Sequence, residues 1–206
     1  MNVYRNLLTT FCVLGLFATT THAQFFDFES GDGGWIATND FEWGTPVGAD
    51  GTVLGGFGGV EPTGGFSGDS VFGTVIGGLH SPSTVSTLSQ TFDLSAQTGA
   101  MVSFMEWSDS GDNAADMAEV LVNGTQVYIS DGDSLAAWRQ VDLDLSAFDG
   151  QSAVDITFQF SSTGAVDRVG WYIDDVDVSA VPEPMSFGLL LAGGLGIFGY
   201  RRNRRS

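Results

Sequence analysis

Between Gln24 and Ala180, apolar residues recur at every second position in short runs, and no long stretch repeats them at helical spacing. Successive strand side chains point to opposite faces of a sheet, so period two with one apolar side marks a half-buried strand. Val154-Asp155-Ile156-Thr157-Phe158-Gln159-Phe160 is the clearest case. Trp138 to Leu145 also alternates, with Val141, Leu143 and Leu145 on the inward side. Shorter runs begin at Phe26, Trp35, Phe41, Ser70, Val85 and Val102. Ala118–Val122 and Gln126–Ile129 flank Asn123-Gly124, a strong two-residue hairpin signal. The last run, Gly170 to Val178, changes phase at Asp174-Asp175, which predicts a bulge or bend. Residues 48–68 are glycine-heavy and weakly patterned, which predicts long loops. About eight to ten short strands without a fixed repeat predict an all-β fold. The expected architecture is a two-layer antiparallel jelly-roll β-sandwich with its first and last strands paired.

Both chain ends carry a different signal. Met1 to Ala23 reads as a signal peptide, with Arg5 in its basic region, an apolar stretch from Leu7 to Ala18, and Thr21-His22-Ala23 at the cleavage point. The only cysteine, Cys12, lies inside it, so the remaining chain has no disulfide. At the other end, Val181-Pro182-Glu183-Pro184 forms a stiff extended break. An uncharged stretch, Met185 to Tyr200, follows, and then Arg201, Arg202, Arg204 and Arg205. That stretch is short against the ~17–25 residues of a usual span. It is nonetheless read as a transmembrane helix, with the arginines as a basic stop held in the cytoplasm. The expected organisation is therefore 1–23 signal peptide, 24–180 folded domain and 181–206 sorting signal.

The charge is lopsided. The formal net charge is −18, there is no lysine, and all but Glu183 of the 25 Asp and Glu residues lie in the domain. Only Arg139 and Arg168 oppose them there. Such a surface repels nucleic acid and anionic membranes, and suits either solubility outside the cell or a specific use of divalent cations.

Two parts of the chain resemble known groups. The tail resembles the PEP-CTERM sorting signal: Pro182-Glu183-Pro184, a hydrophobic span and a basic end occur in the required order. That resemblance implies a Gram-negative bacterium and export through the inner membrane. It also implies transient anchoring, an exosortase-type membrane protease as partner after signal peptidase, and a final place at the cell surface, outside the cell or in a biofilm matrix. The domain resembles the MAM-like jelly-roll modules of secreted bacterial proteins. Phe26-Asp27-Phe28-Glu29-Ser30 with Gly34-Trp35 carries the likeness, as do Phe41-Glu42-Trp43-Gly44-Thr45-Pro46 and Gly170-Trp171-Tyr172-Ile173-Asp174-Asp175-Val176. It implies a structural ion near the chain ends.

A first strand holding Asp27 and Glu29 beside a last strand holding Asp174 and Asp175 would bring carboxylates together. Like charges at close range call for a cation or a proton between them. Calcium takes six to eight oxygens, so Ca2+ is expected at Glu29 and Asp175, with Asp27, Asp174 and a loop residue such as Asp50. Asp109, Asp112, Asn113 and Asp116 form a second acidic stretch, which lacks the glycine and glutamate of a calcium loop.

Enzyme chemistry has little to stand on. The domain has one histidine, His80, too few for a His-rich zinc site and a poor basis for a serine triad. No carboxylate pair stands out for glycoside hydrolysis. Among the five tryptophans, Trp43 is expected to be the exposed sugar platform. The expected function is a non-catalytic surface or matrix protein with a structural or adhesive role. A carbohydrate-binding module for exopolysaccharide comes second, and a carbohydrate-active enzyme third.

Overall fold

The computed structural model describes residues 22–109, 115–131 and 137–182. Among them, eleven strands form two antiparallel sheets. Sheet A is ordered β3 (Phe41–Gly44), β4 (Val71–Thr74), β11 (Gly170–Pro182), β6 (Gln97–Asp109) and β9 (Arg139–Asp144). β1 (His22–Phe26) pairs with the later part of β11, beyond the short ladder that β4 makes with Tyr172 and Ile173. Sheet B is ordered β2 (Ile36–Ala37), β5 (Val85–Phe92), β10 (Val154–Ser162), β7 (Asp116–Val122) and β8 (Thr125–Ile129).

The inward faces follow the alternation. Ala100, Val102 and Phe104 of β6 and Ile173, Val176 and Val178 of β11 are buried against Leu88, Val120, Ile156 and Phe158 of sheet B in one core. Phe158 sits at its centre, edge-on to Phe104 at 4.9 Å and to Trp171 at 5.7 Å. Each such ring pair contributes about 1 kcal/mol beyond its buried area.

One inward position is a carboxylate. Glu106 of β6 is 1 % exposed. It accepts hydrogen bonds from the Trp171 indole (2.9 Å), the Tyr128 hydroxyl (2.6 Å) and Arg139 Nε (2.9 Å), and pairs closely with Arg139 Nη2. Tyr128 belongs to β8, so this carboxylate joins the two sheets. Burial, then the neighbouring Glu106, raises the Tyr128 phenol above its ordinary range, which keeps it a donor.

The sequence pattern and the structure agree closely at the hairpin and at the bulge. Asn123 and Gly124 adopt φ of 49° and 75° between β7 and β8, as a primed two-residue turn needs. The β11–β6 register shifts between Asp174 and Asp177, and Asp175 has φ of 47°.

Two expectations are corrected. The flanking transmembrane helix, with the membrane anchoring it implied, is not part of the described fold. Among the described residues no helix is long and apolar enough to cross a membrane, and the helical element present is a three-residue 3-10 turn, Ser146–Phe148. The chain leaves the domain as strand, since Val181 and Pro182 pair with Thr98 and Gln97. Residues 185–200 lie outside the described residues, as do Glu183, Pro184, Arg201, Arg202, Arg204 and Arg205. The opening strand is also displaced. It ends at Phe26, because Phe28 takes φ of 57° and turns the chain, so Asp27 and Glu29 lie beyond it.

Removing one partner of a buried ion pair leaves the other charge uncompensated, at a cost of about 3–5 kcal/mol. Glu106→Ala is therefore expected to lower the free energy of unfolding by roughly 3 kcal/mol or more, measured by urea denaturation. A loss below about 1 kcal/mol would contradict this role.

Candidate functional site

The segment between β3 and β4 crosses the solvent side of sheet A without forming a named strand. Its backbone N–H groups need acceptors, and carboxylates supply many of them. Glu61, 1 % exposed, accepts from Val47 N (3.1 Å), Ala49 N (3.0 Å) and Gly77 N (2.7 Å). Asp174, fully buried, accepts from Phe66 N (2.7 Å), Ser67 N (3.1 Å) and Asp175 N (2.7 Å). Glu29 accepts from Asp69 N (2.9 Å) and Ser70 N (2.7 Å). Gly68 lies against that carboxylate at φ +62°, where a Cβ would be both strained and in collision with it. Burial pushes the Asp174 carboxyl up to about 7, against the pull of its three N–H donors.

The pinned loop walls a cleft of about 580 Å3. Trp107 and Trp138 form its aromatic side, edge to face at 5.9 Å. Opposite them run residues 60–65 with Gly68 and Asp69. The Trp107 indole donates to the Val60 carbonyl at 2.9 Å, which ties the ring to the loop. Both rings stand on the outer side of sheet A. Trp107 follows Met105 by two residues on β6, and Trp138 precedes Gln140, whose partner on β6 is Met105.

The sequence-predicted site residues are distributed differently. Glu29, Asp174 and Asp175 do meet at one loop, where Asp175 accepts from the Ser67 hydroxyl at 2.5 Å. Asp27 caps Glu29 N at 3.2 Å, and Asp50 accepts from Thr52 N and Oγ1 within its own turn. These carboxylates hold backbone and hydroxyl donors, and among the described residues no group of three acidic, His or Cys side chains gathers as metal ligands would. Trp43 is 45 % exposed on the edge strand β3, with its indole N–H given to the Phe28 carbonyl at 2.9 Å, and it does not line the tryptophan cleft. Val181 and Pro182 of the expected sorting motif are strand residues of β11. His80 is buried against Phe160 and lies 3.2 Å from Asp116, with both side chains inaccessible.

Trp107 and Trp138 were within reach of the sequence. The 138–145 alternation puts Trp138 opposite the Val-Leu-Leu face, hence toward solvent. Glu61 had no such signal, because its donors lie 12 to 16 residues away in a patternless loop.

No family model matches the chain. The sequence is 29% identical over 163 residues to Bacillopeptidase F of Bacillus subtilis (strain 168), covering 74% of this chain and 10% of that protein. It is 30% identical over 150 residues to the Multifunctional-autoprocessing repeats-in-toxin of Vibrio vulnificus, covering 73% of this chain and 2% of that protein. The chain thus spans a tenth or less of the curated relatives it matches. Among solved structures it is similar to the CBM22-1 xylan-binding domain from Paenibacillus barcinonensis (TM-score 0.49, 14% identity, 81% of this chain and 98% of that one). It is also similar to the K1 cleaved adhesin domain of Lys-gingipain from Porphyromonas gingivalis W83 (TM-score 0.44, 15% identity, 77% and 97%). The architecture is an all-β, two-sheet antiparallel jelly-roll-like sandwich.

A carboxyl with a raised folded pKa stays protonated in the fold while the unfolded chain ionises. Stability from Asp174 is then fully present below about pH 4 and is lost as pH rises through about 7. Denaturation of the wild type between pH 4 and 8 is expected to show a fall that Asp174→Asn lacks. Parallel pH profiles for the two proteins would contradict it.

Proposed function

We propose that this domain is a non-catalytic glycan-binding module, on a chain whose leader pattern supports export. The observation that carries the reading is the cleft of Trp107 and Trp138. Two partly exposed indoles face a wall of loop backbone with a nearby carboxylate, Asp69. Indole faces receive the C–H faces of sugar rings, while backbone groups and the carboxylate meet their hydroxyls. This is the usual make-up of a small-molecule site: aromatic walls with a few placed polar groups. The loop is fixed by buried carboxylates before any ligand arrives, so little ordering cost remains for binding.

The site selects against acidic sugars. Both arginines of the domain are already engaged, Arg139 with Glu106 and Asp131, and Arg168 with Asp109 at 3.0 Å. A neutral polysaccharide fits this surface.

An adhesive role toward other macromolecules is favoured by a different feature. The Asp50–Val60 turn is braced by backbone hydrogen bonds yet presents Val53 and Phe57, 82 % and 67 % exposed. Glycan titration separates the readings, since the adhesive one requires no free sugar to bind.

An aromatic anchor at the centre of an interface contributes about 2 kcal/mol or more, a factor of roughly 30 in affinity. Trp138→Ala is expected to weaken binding of a neutral polysaccharide by that factor in isothermal titration, with the β-sheet circular dichroism spectrum of the folded domain retained. Unchanged affinity, or a loss seen with Trp43→Ala instead, would contradict the site.

A further inference from the structure

The strand register extends the tryptophan cleft into a longer track. Phe25 pairs with Asp177, Asp177 with Ser103, and Ser103 with Asp142. These four residues form one row across β1, β11, β6 and β9. Met105 and Gln140 make the next row, and Trp107 lies beyond it. At about 3.4 Å per residue, Ser103 to Trp107 covers about 14 Å along β6, more than one sugar ring.

At the far end lies a second depression of about 210 Å3, lined by Phe25, Phe66, Ser103, Met105, Gln140 and Asp177 among others. Phe25 and Phe66 are 58 % and 53 % exposed, although each is a large apolar side chain. Beside them, Asp177, Ser103 and Gln140 supply polar groups to the lining. Phe66 also belongs to the loop whose Gly65, Gly68 and Asp69 line the tryptophan cleft, and Asp174 fixes that loop at Phe66 N. One loop therefore shapes both depressions.

We propose that this depression is a second glycan subsite, so that one neutral polysaccharide chain crosses the outer face of sheet A from Trp138 beside β9 to Phe25 on β1. Sugar hydroxyls meet the polar groups of Ser103, Gln140 and Asp177 in the lining, and the two phenylalanine rings take sugar C–H faces. Asp142, Asp175 and Asp177 make the track acidic, so uronic-acid chains are excluded. The inference rests on the glycan-binding reading and adds its length and its charge selectivity.

The test is titration of the full chain, in chelator, with neutral cello-, xylo- and laminari-oligosaccharides of two and six units, and with a galacturonic-acid hexamer. The expected result is at least tenfold tighter binding of one neutral hexamer than of its dimer, and no binding of the acidic hexamer. Phe25→Ala is expected to bring the hexamer to dimer affinity and leave the dimer unchanged. Equal affinity at both lengths, an unaffected hexamer in Phe25→Ala, or binding of the acidic hexamer would overturn the second subsite. The glycan-binding reading survives those results if Trp138→Ala still weakens the dimer. No binding of any neutral probe would overturn both.

Discussion

A loop that crosses a sheet without strand pairing must find acceptors for its backbone N–H groups, and in this protein carboxylates provide them. Glu61, Asp174 and Glu29 receive six such bonds, from Val47, Ala49, Phe66, Ser67, Asp69 and Ser70. The cleft wall is thus held by Glu61 from within it and by Glu29 and Asp174 from outside it, and the tryptophans of sheet A meet a surface that is already formed. The same device recurs at Asp149, which accepts from Gly99 N and Ala100 N.

This changes the meaning of the acidic composition. Part of the surplus is structural. Glu106 uses its charge inside the sandwich, where Arg139, Trp171 and Tyr128 satisfy it. Arg168 is likewise turned to a buried Asp109. With both domain cations spent on internal carboxylates, the outward field has one sign, and an uncharged ligand is the one it does not repel.

The strands were legible because half-burial leaves period two in the sequence. Asn123-Gly124 and the phase change at Asp174-Asp175 marked a turn and a bulge for local reasons: positive φ at the first, a lost register at the second. The opening strand misled. Phe26 and Phe28 alternate with acids, yet their rings stack at 6.4 Å and the backbone has already turned at Phe28. The backbone donors of residues 66 to 70, which Glu29 and Asp174 accept from, left no signal in the sequence. Trp43 drew attention through Gly44 and Pro46 beside it. Trp138 had the better claim from alternation alone, but only the structure brings Trp107 beside it.

The central claim is that neutral sugar binds on the outer face of sheet A at Trp107 and Trp138. The five tryptophan indole N–H signals of the chain report on it directly in a proton–nitrogen correlation spectrum. On addition of a neutral oligosaccharide, the signals of Trp107 and Trp138 are expected to shift together and saturably. Those of the buried Trp35 and Trp171, and of the edge residue Trp43, are expected to stay in place. Saturable binding that moves Trp43 and leaves Trp107 and Trp138 unmoved would contradict the account.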